Sequence, residues 1–206
     1  MGFYANHIFP RAMDWALSSP RFQKLREVTL AGVHGLVLEI GFGTGLNLPH
    51  YPKAVSKVIG VEPGSFLQAK IAERSARAAM PVNIIHVTAE TLPWEDAKFD
   101  CVVSTLTLCA IPDPMAALHE VRRVLKPDGS FIFLEHGRSD DPGVAKWQDR
   151  VNPIQRIIAC GCNLNRRIDV LITESGLTMD RLDRFTLPGT PRIAGSMYRG
   201  RAVKES

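Results

Sequence analysis

Gly35-Leu36-Val37-Leu38-Glu39-Ile40-Gly41-Phe42-Gly43-Thr44-Gly45 decides the fold of this 206-residue chain. Leu36, Val37, Leu38 and Ile40 make a short apolar run bounded by glycines, the pattern of a strand buried on both faces of a parallel sheet. Three glycines at alternate positions then form a turn that a ligand can approach closely, since no side chain stands above the backbone. Glu39 is the exception in the run. A carboxylate on a central strand is costly unless it meets a partner. The partner implied is the positive end of a ligand lying over the turn.

Dinucleotides use a related turn, G-x-G-x-x-G, in which backbone N–H groups meet a pyrophosphate. Here the third glycine comes one residue early, and Leu46 stands where that pattern has Gly or Ala. Glu39 would also lie near the anionic pyrophosphate. A cationic, phosphate-free ligand fits better. The series Glu39-x-Gly41-x-Gly43-x-Gly45 resembles motif I of the class I S-adenosylmethionine-dependent methyltransferases, whose cofactor carries an ammonium and a sulfonium. The resemblance implies S-adenosyl-L-methionine as cofactor, with Glu39, Gly41, Gly43 and Gly45 among the residues that bind it.

Outward from the turn, strands and helices alternate. Strands are expected over residues 55–61, 82–87, 101–106 and 130–134, and helices over 64–79 and from Pro114, with Asp113 as its N-cap. Phe66, Leu67 and Ile71 are the expected inward residues of the 64–79 helix. Lys126-Pro127-Asp128-Gly129 turns the chain before the fifth strand. Two closing strands are expected over 177–185 and 196–203. This rhythm predicts an α/β fold: a doubly wound, Rossmann-like, seven-stranded sheet, mostly parallel with the last strand antiparallel, and helices on both faces. Ligands of such sheets bind outside the carboxyl ends of the strands. Gly41, Glu62, Thr88, Thr105 and Glu135 all fall at such ends. Glu62 is placed to accept hydrogen bonds from ribose hydroxyls. Thr105 and Leu106 are expected to face the methionine part of the cofactor. Relatives often have an acidic residue at the position of Thr88 that contacts the adenine amine. Thr88 departs from that pattern, and the N–H of Ala89 and the carboxylate of Glu90 are the expected substitutes.

Leu125-Lys126-Pro127-Asp128-Gly129 and the final strand pair extend the likeness to the methyltransferases that include the ubiquinone/menaquinone C-methyltransferases. Thr105-Leu106-Thr107-Leu108-Cys109, Phe133-Leu134-Glu135-His136 and Gly161-Cys162-Asn163-Leu164 resemble more closely the methyltransferase-like family with thiol methyltransferase members. What this implies is transfer of a methyl group to a small apolar nucleophile such as a thiol. A phospholipid amine or a quinone is the alternative acceptor, and a non-catalytic cofactor-binding subunit is the alternative of another class. His136, at a strand end and with an ordinary pKa near neutral, is the candidate general base. Cys162 and Asn163 are candidates to line the acceptor pocket.

Residues 1–34 precede the core, with Phe3, Tyr4, Ile8, Phe9, Trp15 and Leu17 among charged residues. They read as two helices, the second starting at Ser19-Pro20, that pack over the core of residues 35–206 as an extension, with a lid over the substrate or a surface that meets lipid as the functional readings. Phe22, Leu25 and Val28 are expected on one inward face. Residues 137–176 read as a helical insertion on the substrate side, broken near Pro153, with Asn165 capping a last helix. A formal charge of +4, from 25 Lys and Arg against 21 acids, is mild, and no basic run of the kind that tracks nucleic-acid phosphates occurs. The expected partner is a small-molecule substrate, with peripheral membrane contact through the amino-terminal segment as an added possibility. Animal members of the family have an apolar amino-terminal anchor, whereas this chain has only a short amphipathic segment. Four cysteines and no spanning or secretory run point to a reducing, cytoplasmic setting. Cys101 and Cys109 read as core thiols. Cys160-Gly161-Cys162 lacks the spacer of a zinc knuckle, so no metal is expected.

Overall fold

The computed structural model describes residues 2–64 and 67–204. Seven strands form one sheet: β1 (Gly35–Ile40), β2 (Val55–Val61), β3 (Val82–Ile85), β4 (Phe99–Thr105), β5 (Leu125–His136), β6 (Leu177–Thr186) and β7 (Ser196–Lys204). Their order is β3-β2-β1-β4-β5-β7-β6. The first five strands pair in parallel, and β7 runs antiparallel to both β5 and β6. The order reverses between β1 and β4, which opens the crevice that α/β sheets use for ligands.

Among the described residues six α-helices flank the sheet: α1 (Phe9–Leu17), α2 (Pro20–Leu30), α3 (Gln68–Ala76), α4 (Pro114–Val124), α5 (Pro142–Ile158) and α6 (Ile168–Glu174). Strand alternation sorts their partners. Leu38, Ile40 and Val102 face a core closed by Leu118 and Val121 of α4 and Ile172 of α6. Val37, Cys101 and Val103 face the opposite core, closed by Leu30 of α2 and Ile71 of α3. Each such fully buried aliphatic side chain contributes about 1.5–3 kcal/mol, so the two faces together fix the register of the central strands. Asp113 caps α4 as expected, its Oδ1 accepting the N–H groups of Met115 and Ala116.

Several boundaries differ from the sequence reading. Helix α3 starts at Gln68, and Phe66 lies outside the described residues. Strand β3 stops at Ile85, and β5 begins at Leu125, because residues 125–129 continue directly from α4 into the sheet. Helix α5 runs through Pro153. Asn165 does not cap α6: its side-chain amide donates to Asp149 of α5 instead, at 2.9 Å. On α2, Val28 is exposed, and Arg26, Thr29 and Leu30 take the buried face.

Candidate active site

The register of β1 with β2 and β4 places Val61, Ile40 and Ser104 side by side, and Ser104 is paired in turn with Phe133. The residues just beyond this row build the site. Gly41, Gly43 and Gly45 all have positive φ, at +66°, +56° and +76°. They do different jobs. A Cβ on Gly41 would lie 2.2 Å from the side chain of Thr107, so that glycine admits the loop after β4. A Cβ on Gly45 would press on Leu48 and Phe42. Above Gly43 the nearest atom would be the Gly41 carbonyl oxygen at 3.9 Å, leaving open space at the turn.

Glu39 is buried, and both its oxygens are taken up. The Asn47 amide donates to Oε1 at 2.9 Å and the Tyr51 hydroxyl to Oε2 at 2.7 Å. The same Asn47 nitrogen reaches Thr105 Oγ1 at 3.0 Å, and Arg26 Nε donates to Asn47 Oδ1 at 3.1 Å. Burial pushes the Glu39 carboxyl up to about 7, against the opposing pull of Tyr51, Asn47 and Arg26. Glu62, at the end of β2, accepts the N–H of Gly43 at 2.9 Å and that of Gly64 at 3.0 Å. Burial raises its pKa, with these two amides opposing. A carboxylate has about four acceptor positions, so Glu62 retains capacity for two hydroxyl donors. Thr88 is exposed and Ala89 buried in the turn after β3. The carboxylate of Glu90 accepts the Asp113 N–H at 3.5 Å, which ties it to the start of α4.

Leu106 has φ +55°, a strained conformation for a leucine, and its N–H is held by the Leu134 carbonyl at 2.8 Å. Glu135 fixes the loop that follows. It is fully buried and accepts the Ser104 hydroxyl at 2.7 Å, the Thr107 N–H at 3.0–3.1 Å and the Cys109 N–H at 3.4 Å. Burial pushes its pKa up to about 7, opposed by these donors.

His136 ends β5 with 7 % exposure, and its Nε2 is buried without a hydrogen-bond partner. Its Nδ1 lies 4.0 Å from Cys162 Sγ, which in turn lies 3.5 Å from Cys109 Sγ. The contact with Cys162 and burial push the Cys109 thiol up, while the contact with Cys109 and the neighbouring His136 pull the Cys162 thiol down, so Cys162 is the more readily ionised of the two. Cys160 is exposed and stands apart from this group. Folding instead brings Cys162 to Cys109 and His136, and the three ligand atoms lie within 4.8 Å of one another.

The site includes residues the sequence reading passed over. Asp14 of α1 is buried and accepts the Thr44 hydroxyl of the glycine turn at 2.6 Å, Arg74 of α3 at 2.6 Å, and Lys70. Burial works to raise its pKa, but Arg74, Lys70 and Thr44 outweigh it and hold the carboxyl well below the usual range. Asn47, Tyr51 and Arg26 are the others. A charged residue on the inward face of a short amphipathic helix was the available signal for Asp14 and Arg26. Over the ends of β4 and β5, Phe22 and Leu25 of α2 pack with Leu106, Leu134, Leu187 and Met197 into an apolar cover.

A methyltransferase-domain family model matches residues 38–133, the segment from β1 into β5. Thiol S-methyltransferase TMT1B of Rattus norvegicus is 31 % identical over 189 residues, spanning 89 % of this chain and 76 % of the relative. A phosphatidylethanolamine N-methyltransferase of Cereibacter sphaeroides is 32 % identical over 124 residues, spanning 59 % of this chain and 60 % of that one. A Thermotoga maritima structure, described as a SAM-dependent methyltransferase and possible histamine N-methyltransferase, has the same fold. It superposes with a TM-score of 0.67 at 24 % identity, over 97 % of this chain and 99 % of that one. The chain belongs to the class I S-adenosylmethionine-dependent methyltransferases. It is an enzyme of that class and its cofactor is S-adenosylmethionine. The open backbone over Gly43 and the unused acceptor capacity of Glu62 fit that group.

Proposed function

We propose that this enzyme transfers the methyl group of S-adenosylmethionine to a small apolar thiol. Gly43 and the turn around it receive the cofactor, and Glu62 accepts its ribose hydroxyls. Gly41 and Gly45 shape the turn. Glu39 acts on the amino-acid end of the cofactor through Asn47, whose amide nitrogen donates both to Glu39 and to Thr105. Thr88 and Ala89 border the adenine, and Thr105 and Leu106 the methionine part. Residues 1–34 form the lid, consistent with the grip of Asp14 on Thr44 and the cover made by Phe22 and Leu25.

Methyl transfer from a sulfonium is an in-line displacement, and positioning the acceptor behind the methyl carbon can supply up to about 7–11 kcal/mol of the barrier. The remaining task is loss of the acceptor's proton. A thiol with a pKa of about 8.5 needs modest help to ionise near neutral pH. The observation that carries the thiol reading is His136: a buried imidazole with an unpartnered nitrogen, at the end of β5 and paired across the sheet with Met197 of the apolar cover. His136 is the group on which ionisation of the thiol depends. S-adenosylhomocysteine release with a panel of alkyl thiols, phospholipid amines and quinols tests this. Alkyl thiols are expected to be the preferred acceptors, and His136→Asn is expected to lower the rate at least ~100-fold with cofactor affinity kept. Preference for another acceptor, or an unaffected His136→Asn enzyme, would overturn it.

One observation favours a lipid-borne amine as the second reading. Trp15 is 82 % exposed and Ile157 79 %, and Ile8, Trp147, Ile154 and Ile158 are also exposed, on α1, the turn before it and α5. The Tyr4 hydroxyl bonds the Ile158 carbonyl at 2.8 Å, which joins the two regions. Among the described residues no helix is long and apolar enough to cross a membrane, so contact would be at the lipid surface. Co-sedimentation with anionic vesicles, lost in a Trp15→Ser/Ile157→Ser variant, together with amine-dependent turnover, would favour this reading.

A further inference from the structure

Cys109, His136 and Cys162 come from three separate elements: the loop after β4, the end of β5, and the loop between α5 and α6. Their convergence is built by the backbone. The Asn163 N–H and side-chain amide both donate to the Cys109 carbonyl, at 2.8 and 3.1 Å. Asn152 of α5 donates to Asn163 Oδ1 at 3.2 Å and accepts the Leu164 N–H at 2.8 Å. Glu135 holds the Cys109 N–H from the other side. The segments bearing the two cysteines are therefore tied to each other and to the sheet.

Tetrahedral coordination with metal–sulfur bonds near 2.3 Å and metal–nitrogen bonds near 2.0–2.1 Å requires S···S separations of about 3.8 Å and S···N separations of about 3.6 Å. The observed separations are 3.5 Å between the sulfurs and 4.0 Å from Cys162 Sγ to His136 Nδ1. An ion could enter with shifts of a few tenths of an ångström along these two edges. The imidazole is short of partners on both nitrogens. It is more than nine-tenths buried, its Nδ1 has only a weak sulfur contact, and its Nε2 has no partner. Buried polar atoms are rarely left so.

We propose that Cys109, Cys162 and His136 form a three-coordinate site for a divalent thiophilic cation of the zinc type, with the fourth position open to the acceptor sulfur. Two sulfurs, one imidazole and an open position make the ligand set of a catalytic rather than a structural zinc centre. The role of the fourth position rests on the thiol-acceptor reading above and gives His136 its part in it. An acceptor thiol that binds the ion loses its proton to solvent, because a coordinated thiol is held as the thiolate. Its sulfur then attacks the methyl carbon. The new S–C bond forms as the sulfonium S–C bond breaks, the electron pair stays on the departing sulfur, and the products are a methyl thioether and S-adenosylhomocysteine. Cys162 is only partly buried and marks the side from which the acceptor reaches the ion.

The test titrates the purified, reduced chain with Co2+ and Zn2+, following thiolate-to-cobalt charge-transfer absorption and metal stoichiometry by native mass spectrometry. One ion per chain is expected, with the charge-transfer band of two thiolates and displacement by Zn2+. Cys162→Ser should weaken binding at least ~100-fold and halve the band. Cys160→Ser, at an exposed cysteine outside the cluster, should change neither, and it controls for general thiol binding. Circular dichroism and Tm identify any variant that fails to fold. If Cys109→Ser does so, Cys162→Ser and His136→Asn carry the test. Absence of stoichiometric binding, or binding that Cys162→Ser leaves intact, overturns the site. Adding a small thiol to the cobalt form should shift the band, and a chelator should abolish thiol methylation until Zn2+ is restored. Thiol methylation by a metal-free chain would overturn the metal's role and leave the thiol reading standing. Stoichiometric binding with no thiol methylated would leave the cation site standing and remove the thiol reading.

Discussion

Glu39 was legible as an anomaly, a carboxylate inside an apolar strand, but not as what the fold makes of it. A sequence shows that a buried acid needs partners. It does not show that Asn47 and Tyr51, from the irregular segment after the turn, would be those partners. The consequence is a pH effect. The folded-state pKa of about 7 stands above the ordinary value of 4.5, so between those values the folded chain holds the proton more tightly than the unfolded one. Stability from this group is full below about 4.5 and is lost as pH rises to about 7, by the order of a few kcal/mol. Urea midpoints measured without cofactor should therefore fall from pH 5 to pH 8, with a shallower fall in Glu39→Gln. Equal slopes would refute the assignment. The glycines make a second residue-scale contrast. Gly41→Ala and Gly43→Ala both incur about 1–2 kcal/mol for positive φ, but only the first also collides with Thr107. Gly41→Ala should lower Tm more, while Gly43→Ala should weaken cofactor binding more than it lowers Tm. Calorimetric titration beside thermal melts separates the two.

The elements were read well where pattern alone determines them. Continuous apolar runs gave the central strands, and Asp113-Pro114 gave the start of α4. The misreadings lie where tertiary contacts override local signals. Pro153 suggested a break, yet α5 continues through it, and Val28 suggested a buried face that Arg26 and Thr29 occupy instead. Arg26 is inward because Asn47 and the Leu17 carbonyl receive its guanidinium, at 3.1 and 2.8 Å. The amino-terminal helices thus meet the glycine turn and the segment after it through polar contacts that no hydrophobic periodicity reveals. Asp14→Ala tests this coupling. It removes the acceptor shared by Thr44, Arg74 and Lys70. Since the two cations are partly exposed, the loss should fall short of the ~3–5 kcal/mol of a fully buried pair. Faster amide exchange at α1 and the glycine turn, measured by hydrogen–deuterium exchange, is the expected result. Unchanged exchange there would mean that α1 rests on the turn without bracing it.

At the scale of the whole molecule, the mostly parallel seven-stranded sheet with its antiparallel last strand was readable, because alternating elements admit few topologies. The meeting of Cys109, His136 and Cys162 was not, since their separations in sequence follow no motif and only the closed fold sets their distances. The proposed function needs two half-sites to meet: a cofactor side at the ends of β1 and β2, and an acceptor side at the ends of β4 and β5 beside α2. Thiol-dependent release of S-adenosylhomocysteine by the wild-type chain and by Glu62→Ala measures that junction most directly. Loss of two hydrogen bonds to a charged acceptor should weaken cofactor binding by about 10-fold to 100-fold or more, with turnover recovered at saturating cofactor. Wild-type release that does not depend on added thiol, or a Glu62→Ala enzyme with unchanged cofactor dependence, would contradict it.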